Sequence, residues 1–350
     1  MTYHLSILDK SLVADGSTAE QALRDSVVRA QRAEQLGYHR YWFAEHHALP
    51  QSAGPAPEVL AAFVLAQTQR IRIGTGGVML RHYSPYKVAE VFNLLANLAP
   101  GRVDLGVGKA PGGLPAASQA LAYGRETPLD FVKQLTDLEG FLSGNLPPWH
   151  RHADAIATPT AGVQAERFLL GASVESAELA ASLGWRFVYA GQFDGDPRNI
   201  ERALSAYRRS SNLAPLLAVI ALAADSAAEA ARHIGELRIH RLHFGDRQTI
   251  NLPSSQAAAD YARQAGITDY NVEELQPSVL AGTARHVRGE LDRLHTYFGI
   301  EEFVLDAPVA DAQVRLRSLE LLAPSTSPQT PSPATNAAAT TANQPEPALL

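Results

Sequence analysis

Short apolar runs alternate along the chain with longer stretches in which apolar residues recur every three or four positions. That is the pattern of parallel strands joined by crossover helices. His4 to Leu8 reads as a buried strand, and Thr18 to Leu36 as a helix with Ala22, Val27, Ala30, Ala33 and Leu36 mainly on one face, stopped by Gly37. Tyr41 to Ala44 make a second strand, Pro57 to Gln67 a second helix, Ile71 to Val78 a third strand. Ser84 and Pro85 open a helix whose apolar residues Val88, Val91, Phe92, Leu95 and Leu98 keep helical spacing until Pro100-Gly101, and Arg102 to Val107 is the fourth strand. The rhythm returns with strands at Arg167–Leu170, Phe187–Tyr189, Leu216–Leu222 and Glu301–Leu305. Helices are expected at Val174–Leu183, Arg198–Arg209, Ser226–His240, Thr283–Phe298 and Ala312–Leu322. Residues 145–164 and 245–278 fit neither pattern and are expected to be long insertions over a site or at a subunit contact. About eight strand–helix units in roughly 320 residues predict an α/β fold, a (β/α)8 TIM-like barrel with insertions. A doubly wound open sheet is the competitor, but no G-x-G-x-x-G follows the first strand.

Composition changes abruptly near the end. Residues 324–350 are built from Pro, Ser, Thr, Ala, Asn and Gln with no aromatic residue, too little apolar surface to offset the entropy of ordering. The expected organisation is therefore a barrel over 1–323 and a disordered tail over 324–350. Thirty Lys and Arg against 36 Asp and Glu give a net charge of −6, which provides no field for nucleic acid or anionic lipid. Cysteine is absent, so thiolate chemistry is excluded and histidine or carboxylate must carry any proton transfer. No stretch approaches a membrane span and the first residues lack a signal-peptide pattern, so a cytoplasmic location is expected.

Barrels of this kind carry their chemistry where strands end. The second strand ends in Glu45-His46-His47, adjacent imidazoles that can exchange protons near neutral pH while a carboxylate fixes a tautomer. One histidine on a loop carbonyl and one in solvent would explain the pair equally well. A metal site is not expected, because the only His-x-His, His150-Arg151-His152, lies in a proline-flanked loop rather than after the first strand. The third strand runs into Gly74-Thr75-Gly76-Gly77 and the fourth into Gly106 to Gly113, where Lys109 suits an anion; glycine either admits a flat or phosphorylated ligand or simply marks a turn. After the fifth strand, Ala172, Ser173 and Ser176 stand at a helix start, where backbone N–H groups and hydroxyls can hold phosphate or merely cap the helix.

The order of these motifs resembles the bacterial luciferase-like flavin monooxygenases, and more closely the single-chain branch of that family. The resemblance rests on Glu45-His46-His47, Ile73 to Gly77, Ser84 to Gly113 and Ala172 to Gly184, and runs from residue 1 to about 323. It implies a barrel that binds reduced FMN at the carboxyl ends of its strands and uses O2, through a flavin C4a-(hydro)peroxide, to oxygenate a small organic substrate. His46 would be the acid–base residue, flanked by Glu45 and His47. Gly76-Gly77 would lie beneath the isoalloxazine, often across a cis peptide, and Lys109, Ser173 and Ser176 would hold the phosphate. Gly108 stands where the light-emitting subunit carries a reactive cysteine, so luminescence is not implied.

The resemblance further implies a separate NAD(P)H:flavin reductase, a homodimer, and an insertion at 245–278 acting as a mobile cover over the site. Glu90 also matches a family position, although a helix glutamate paired with Arg102 is the plainer expectation. The substrate pocket would have walls such as Tyr189 and Phe193, with no distinctive charged anchor. Three other readings remain open: deazaflavin-dependent hydride transfer on the same barrel, a flavin-binding protein without catalysis, and a metal-dependent barrel hydrolase.

Overall fold

The first strand, β1 (His4–Asp9), pairs in parallel both with the second strand of the chain and with the last one, nearly 300 residues away. That double pairing closes a barrel. In chain order the elements of this computed structural model, which describes residues 2–125, 129–235, 237–246 and 248–324, begin with β1, α1 (Ala19–Gln35), β2 (Arg40–Phe43), α2 (Pro57–Leu65), β3 (Arg72–Thr75), β4 (Val78–Met79), α3 (Pro85–Leu98) and β5 (Val103–Gly108). They continue with α4 (Pro115–Ala122), α5 (Phe131–Ser143), β6 (Glu166–Gly171), α6 (Val174–Ser182), β7 (Arg186–Ala190), α7 (Pro197–Arg208), β8 (Leu216–Ala224) and α8 (Ala227–Ile234). An insertion supplies β9 (Ile239–Phe244), β10 (Gln248–Leu252), α9 (Ser255–Ala265) and β11 (Tyr270–Leu275), and the chain returns through β12 (Val279–Thr283), α10 (Ala284–Phe298), β13 (Glu302–Asp306) and α11 (Ala312–Leu321). The barrel strands run β1-β2-β3-β5-β6-β7-β8-β13 and back to β1, all parallel, with β4 added to β5 and β12 to the far end of β8. The (β/α)8 expectation holds.

Alternation along each strand divides two cores. Outward residues such as Leu5, Tyr41, Ile73, Leu105 and Phe303 pack under the helices in the main cluster. Inward residues Leu8, Trp42, Ala44, Phe168, Val188, Ala218 and Val304 fill the lumen. Below them the amino-terminal end of the barrel is plugged by charge. Arg40 bonds both oxygens of Asp104 at 3.0 Å and reaches Glu302 and Glu166, Arg72 shares Asp104 and Glu166, and the Trp42 indole donates to Asp104 at 2.9 Å. Three carboxyl groups thus meet two guanidinium groups; Arg40, Asp104 and Glu302 are buried and need these partners, while Glu166 closes the layer from a partly exposed position.

Several expectations change. Residues 245–278 are not irregular: they hold β10, α9 and β11, which with β9 form an antiparallel sheet of order β10-β9-β11. The helix expected over Ser226–His240 ends at Ile234, followed by Gly235 at φ 52°, and His240 lies in β9. The strand expected over Ile71–Val78 is interrupted at Gly76 and Gly77, which separate β3 from β4. Helices α4 and α5 were not anticipated by the sequence pattern. Glu90 pairs with Lys87 at 3.3 Å and not with Arg102, whose guanidinium donates to the Leu65 and Ile71 carbonyls and to Thr68. From residue 325 onward, the expected disordered tail lies outside the described residues. No described helix is long and apolar enough to cross a membrane.

Candidate active site

At the carboxyl end of the barrel the alternation of β2 continues one step past the strand, since Ala44 N–H still donates to the Asp9 carbonyl. Arg40, Trp42 and Ala44 face the lumen, so His46 falls on the lumen side while Glu45 and His47 fall on the other. Hydrogen bonding agrees. The His47 Nε2 and Glu45 Oε1 atoms are 2.6 Å apart, Tyr83 donates its hydroxyl to the same oxygen at 2.8 Å, and the Met79 N–H donates to Oε2 at 2.9 Å. Glu45 is 1% exposed, so these three donors are its whole environment. Burial, with the negative charge of Glu45 next, drives the Tyr83 hydroxyl well above its ordinary range. The His47 N–H donates to the Gly112 carbonyl at 2.7 Å, and its ring lies edge-on to His82, whose Nε2 donates to the Pro111 carbonyl at 2.7 Å. Glu45 and His47 therefore lock the loop after β2 to β4 and to the loop after β5.

His46 is left free of this lock. Its N–H donates to the Gly54 carbonyl, while its Nδ1 is sealed from solvent without a partner. Burial lowers the imidazole pKa to about 4, assisted by the positive charge of Lys10 and by His47, so His46 is neutral at physiological pH. The one-bonded, one-solvated arrangement of the two histidines is not what is found.

The lumen layer around His46 is unequal. At the carboxyl ends of β2, β3 and β5 its inward positions are Ala44, Gly76 and Gly108, while β6 adds Leu170 beside Gly108 and β7 ends in Ala190. A Cβ on Gly108 would meet only the methyl end of Met79, at 2.8 Å, so backbone packing does not demand glycine there. Gly76-Gly77 is a cis peptide. On the other side, β1 and β13 aim Lys10 and Asp306 inward, with Nζ and Oδ2 2.5 Å apart. In the turn after β7, Gln192 is buried and its Oε1 has no partner.

Tyr189, expected as a pocket wall, belongs instead to the outward core with Phe187, and Phe193 is half exposed. A charged anchor, not expected, is present in Lys10 and Asp306. Neither residue was distinctive in sequence, and only the β1–β13 register joins them.

The remaining sequence candidates gather one strand further round. Gly108 pairs with Leu170, which brings Lys109 beside the start of α6. Ser173 caps that helix, accepting the Ser176 N–H at 3.2 Å, and the two hydroxyls are 3.3 Å apart. Ala172 packs partly into the main core and contributes backbone there. Lys109 is exposed and forms no ion pair among the described residues, although its charge is felt by Glu175, whose carboxyl is held below its ordinary range by its own backbone N–H and by Ser173 first. The cluster is thus capped, with the Glu175 and Ser176 N–H groups engaged within it, and what it presents to an anion is two hydroxyls, a lysine and the positive end of the helix. The insertion lies over the same end of the barrel: Leu114 packs into the cluster of β9, β10 and α9, and Ala116 N–H donates to Gln264.

A closed parallel barrel with a histidine pair after its second strand and glycines after its third and at the end of its next is an arrangement of the luciferase-like class. The chain belongs to the luciferase-like monooxygenase family, whose model matches residues 1–302. An N-acetyl-S-alkylcysteine monooxygenase of Bacillus subtilis (strain 168) is 40% identical over 326 residues, which is 91% of this chain and 96% of that protein. Among solved structures, apo-MsnO8 is similar with a TM-score of 0.73 at 32% identity, covering 92% of this chain and 97% of that one. Two more distant structures share the fold. The oxygenating constituent of 3,6-diketocamphane monooxygenase of Pseudomonas putida, in complex with FMN, has a TM-score of 0.67 at 19% identity over 94% of this chain and 99% of that one. An F420-dependent secondary alcohol dehydrogenase has a TM-score of 0.64 at 14% identity over 92% of this chain and 98% of that one.

Proposed function

We propose that this protein is a reduced-FMN monooxygenase that oxygenates the sulfur of S-alkylated N-acylcysteines. The observation that carries the reading is the divided mouth of the barrel, where Gly76 and Gly108 on neighbouring strands put no Cβ into the lumen and a buried, unpartnered His46 Nδ1 follows the next strand. A flat ring suits the two glycines, and the substrate class is that named for the Bacillus subtilis relative. Reduced FMN, when bound, supplies the two electrons that divide O2 between the substrate and water.

The chain's own residues have distinct parts in this reading. Lys109, Ser173, Ser176 and the α6 N-terminus, with Ala172 contributing backbone, hold the phosphate. Gly76-Gly77 and Gly108 give the ring its bed. His46, neutral at working pH, accepts or donates a proton at Nδ1. Glu45 and His47 are positioning residues that fix the loop carrying His46, and the insertion over residues 239–275 excludes water. A separate NAD(P)H:flavin reductase would provide reduced FMN. Two chains would pair through exposed Val59 and Phe63 on α2 and Leu94 and Leu98 on α3, an apolar face on adjacent helices.

The test is oxygen uptake and product analysis with FMN, NADH, a flavin reductase and N-acetyl-S-benzylcysteine. The expected result is a product heavier by one oxygen atom, with His46→Ala lowering its yield at least ~10²-fold while hydrogen peroxide rises. An unchanged yield in the variant would contradict the role of His46, and hydride transfer from a reduced deazaflavin in place of oxygenation would contradict the reaction.

A further inference from the structure

We propose that Lys10 and Asp306 form the recognition pair for the acid–amide end of the substrate, Lys10 taking the carboxylate and Asp306 the amide N–H. The inference rests on the reading of an S-alkylated N-acylcysteine as substrate and assigns to this chain the residues that select it.

The pair's position follows from strand alternation. On β1, Ser6 and Leu8 face the lumen and Asp9 faces outward to Arg29 and Tyr41, so Lys10 turns inward again. On β13 the inward residues are Glu302, Val304 and Asp306. Both side chains therefore stand at the mouth, one layer above Leu8 and Val304, on the arc that also carries His46. Neither is needed to balance the charged plug at the other end, where Arg40 and Arg72 already meet Asp104, Glu166 and Glu302. Asp306 is 1% exposed, and its Oδ2 bonds Lys10. The Lys10 side chain keeps 19% of its surface open, and an ammonium has two further N–H donors.

A buried ion pair of this kind is weak evidence for stability, because apolar side chains of similar size serve as well. Its chemical use is to offer a cation and an acceptor side by side. An N-acyl amino acid presents the complement, a carboxylate and an amide N–H on one carbon. Bound there, it would direct its side chain away from β1 and β13, across the lumen towards Gly76 and Gly108.

The experiment is calorimetry on the FMN-loaded, full-length protein with N-acetyl-S-benzylcysteine, its methyl ester and benzyl methyl sulfide. The unaltered protein is expected to bind the acid at least ~10-fold tighter than the ester, the usual worth of one charge-assisted hydrogen bond. The double variant K10M/D306N removes both charges together and leaves neither buried alone. It is expected to bind acid and ester equally, with unchanged affinity for the sulfide and for FMN and an unchanged unfolding midpoint. K10M alone is expected to lose the acid preference, and with N-acetyl-N-methyl-S-benzylcysteine as a fourth ligand, which the unaltered protein is expected to bind more weakly than the parent acid, D306N is expected to bind the two equally. Equal binding of acid and ester by the unaltered protein would overturn the pair, as would a preference that survives in the double variant. If the unaltered protein binds no FMN, the underlying functional reading falls first and the pair's assignment falls with it; if FMN binds and the acid preference is missing, only the pair's assignment fails.

Discussion

A Cβ on Gly106 would collide with the Thr75 carbonyl oxygen, whereas one on Gly108, two residues on, would meet only the flexible end of Met79. The same residue type is therefore demanded by backbone packing at one position and faces only a flexible side chain at the next. Gly106→Ala is expected to destabilise the fold by on the order of 3 kcal/mol or more, read as a fall in the denaturant midpoint. Gly108→Ala is expected to keep that midpoint within ~1 kcal/mol while weakening flavin binding; equal losses of stability in both would remove the distinction. The sequence displayed both glycines without separating them, because the collision depends on how close β3 and β5 run. Glu45-His46-His47 was legible as a polar triple at a strand end. The division of labour inside it was not, since the partners Tyr83 and Met79 lie more than 30 residues further on. Lys10 and Asp306 each read alone as an ordinary polar boundary residue, and only a register across some 300 residues gives them meaning.

At the scale of elements, the long helices and the strands of the first half follow directly from apolar periodicity, helped by the Pro85 start and the Gly37 stop. The insertion was missed for a physical reason. Its strands β9 and β11 are half exposed and carry charge on both faces, with His243 pairing Glu273 on one and Arg238, just before β9, pairing Glu274 on the other, so the apolar signal is weak over a few positions. The barrel strands differ because their inward and outward faces are both buried, except where the charged plug sits. That plug joins six of the eight barrel strands through Ser6, Arg40, Arg72, Asp104, Glu166 and Glu302. Asp104→Ala would strip Arg40, Arg72 and the Trp42 indole of a shared acceptor at a fully buried site. The expected cost is ~3–5 kcal/mol in urea or thermal unfolding; a loss under ~1 kcal/mol would show that the plug is not needed to hold the barrel closed.

For the whole molecule, the barrel closes by pairing its first and last strands, and the mouth so formed brings together residues from every part of the described chain. Outside the barrel, Val59, Phe63, Leu94 and Leu98 leave an apolar face on α2 and α3. Light scattering is expected to give a dimer mass, and Phe63→Glu with Leu98→Glu a monomer; a monomeric unaltered protein would contradict pairing through that face. The central claim is that the mouth is a reduced-FMN site, and anaerobic titration of the purified protein with reduced FMN tests it most directly. The account predicts saturable binding of one flavin per chain, weakened about 10–100-fold by Lys109→Ala, with riboflavin affinity unchanged by the same substitution. No saturable binding of reduced FMN by the unaltered protein would contradict it.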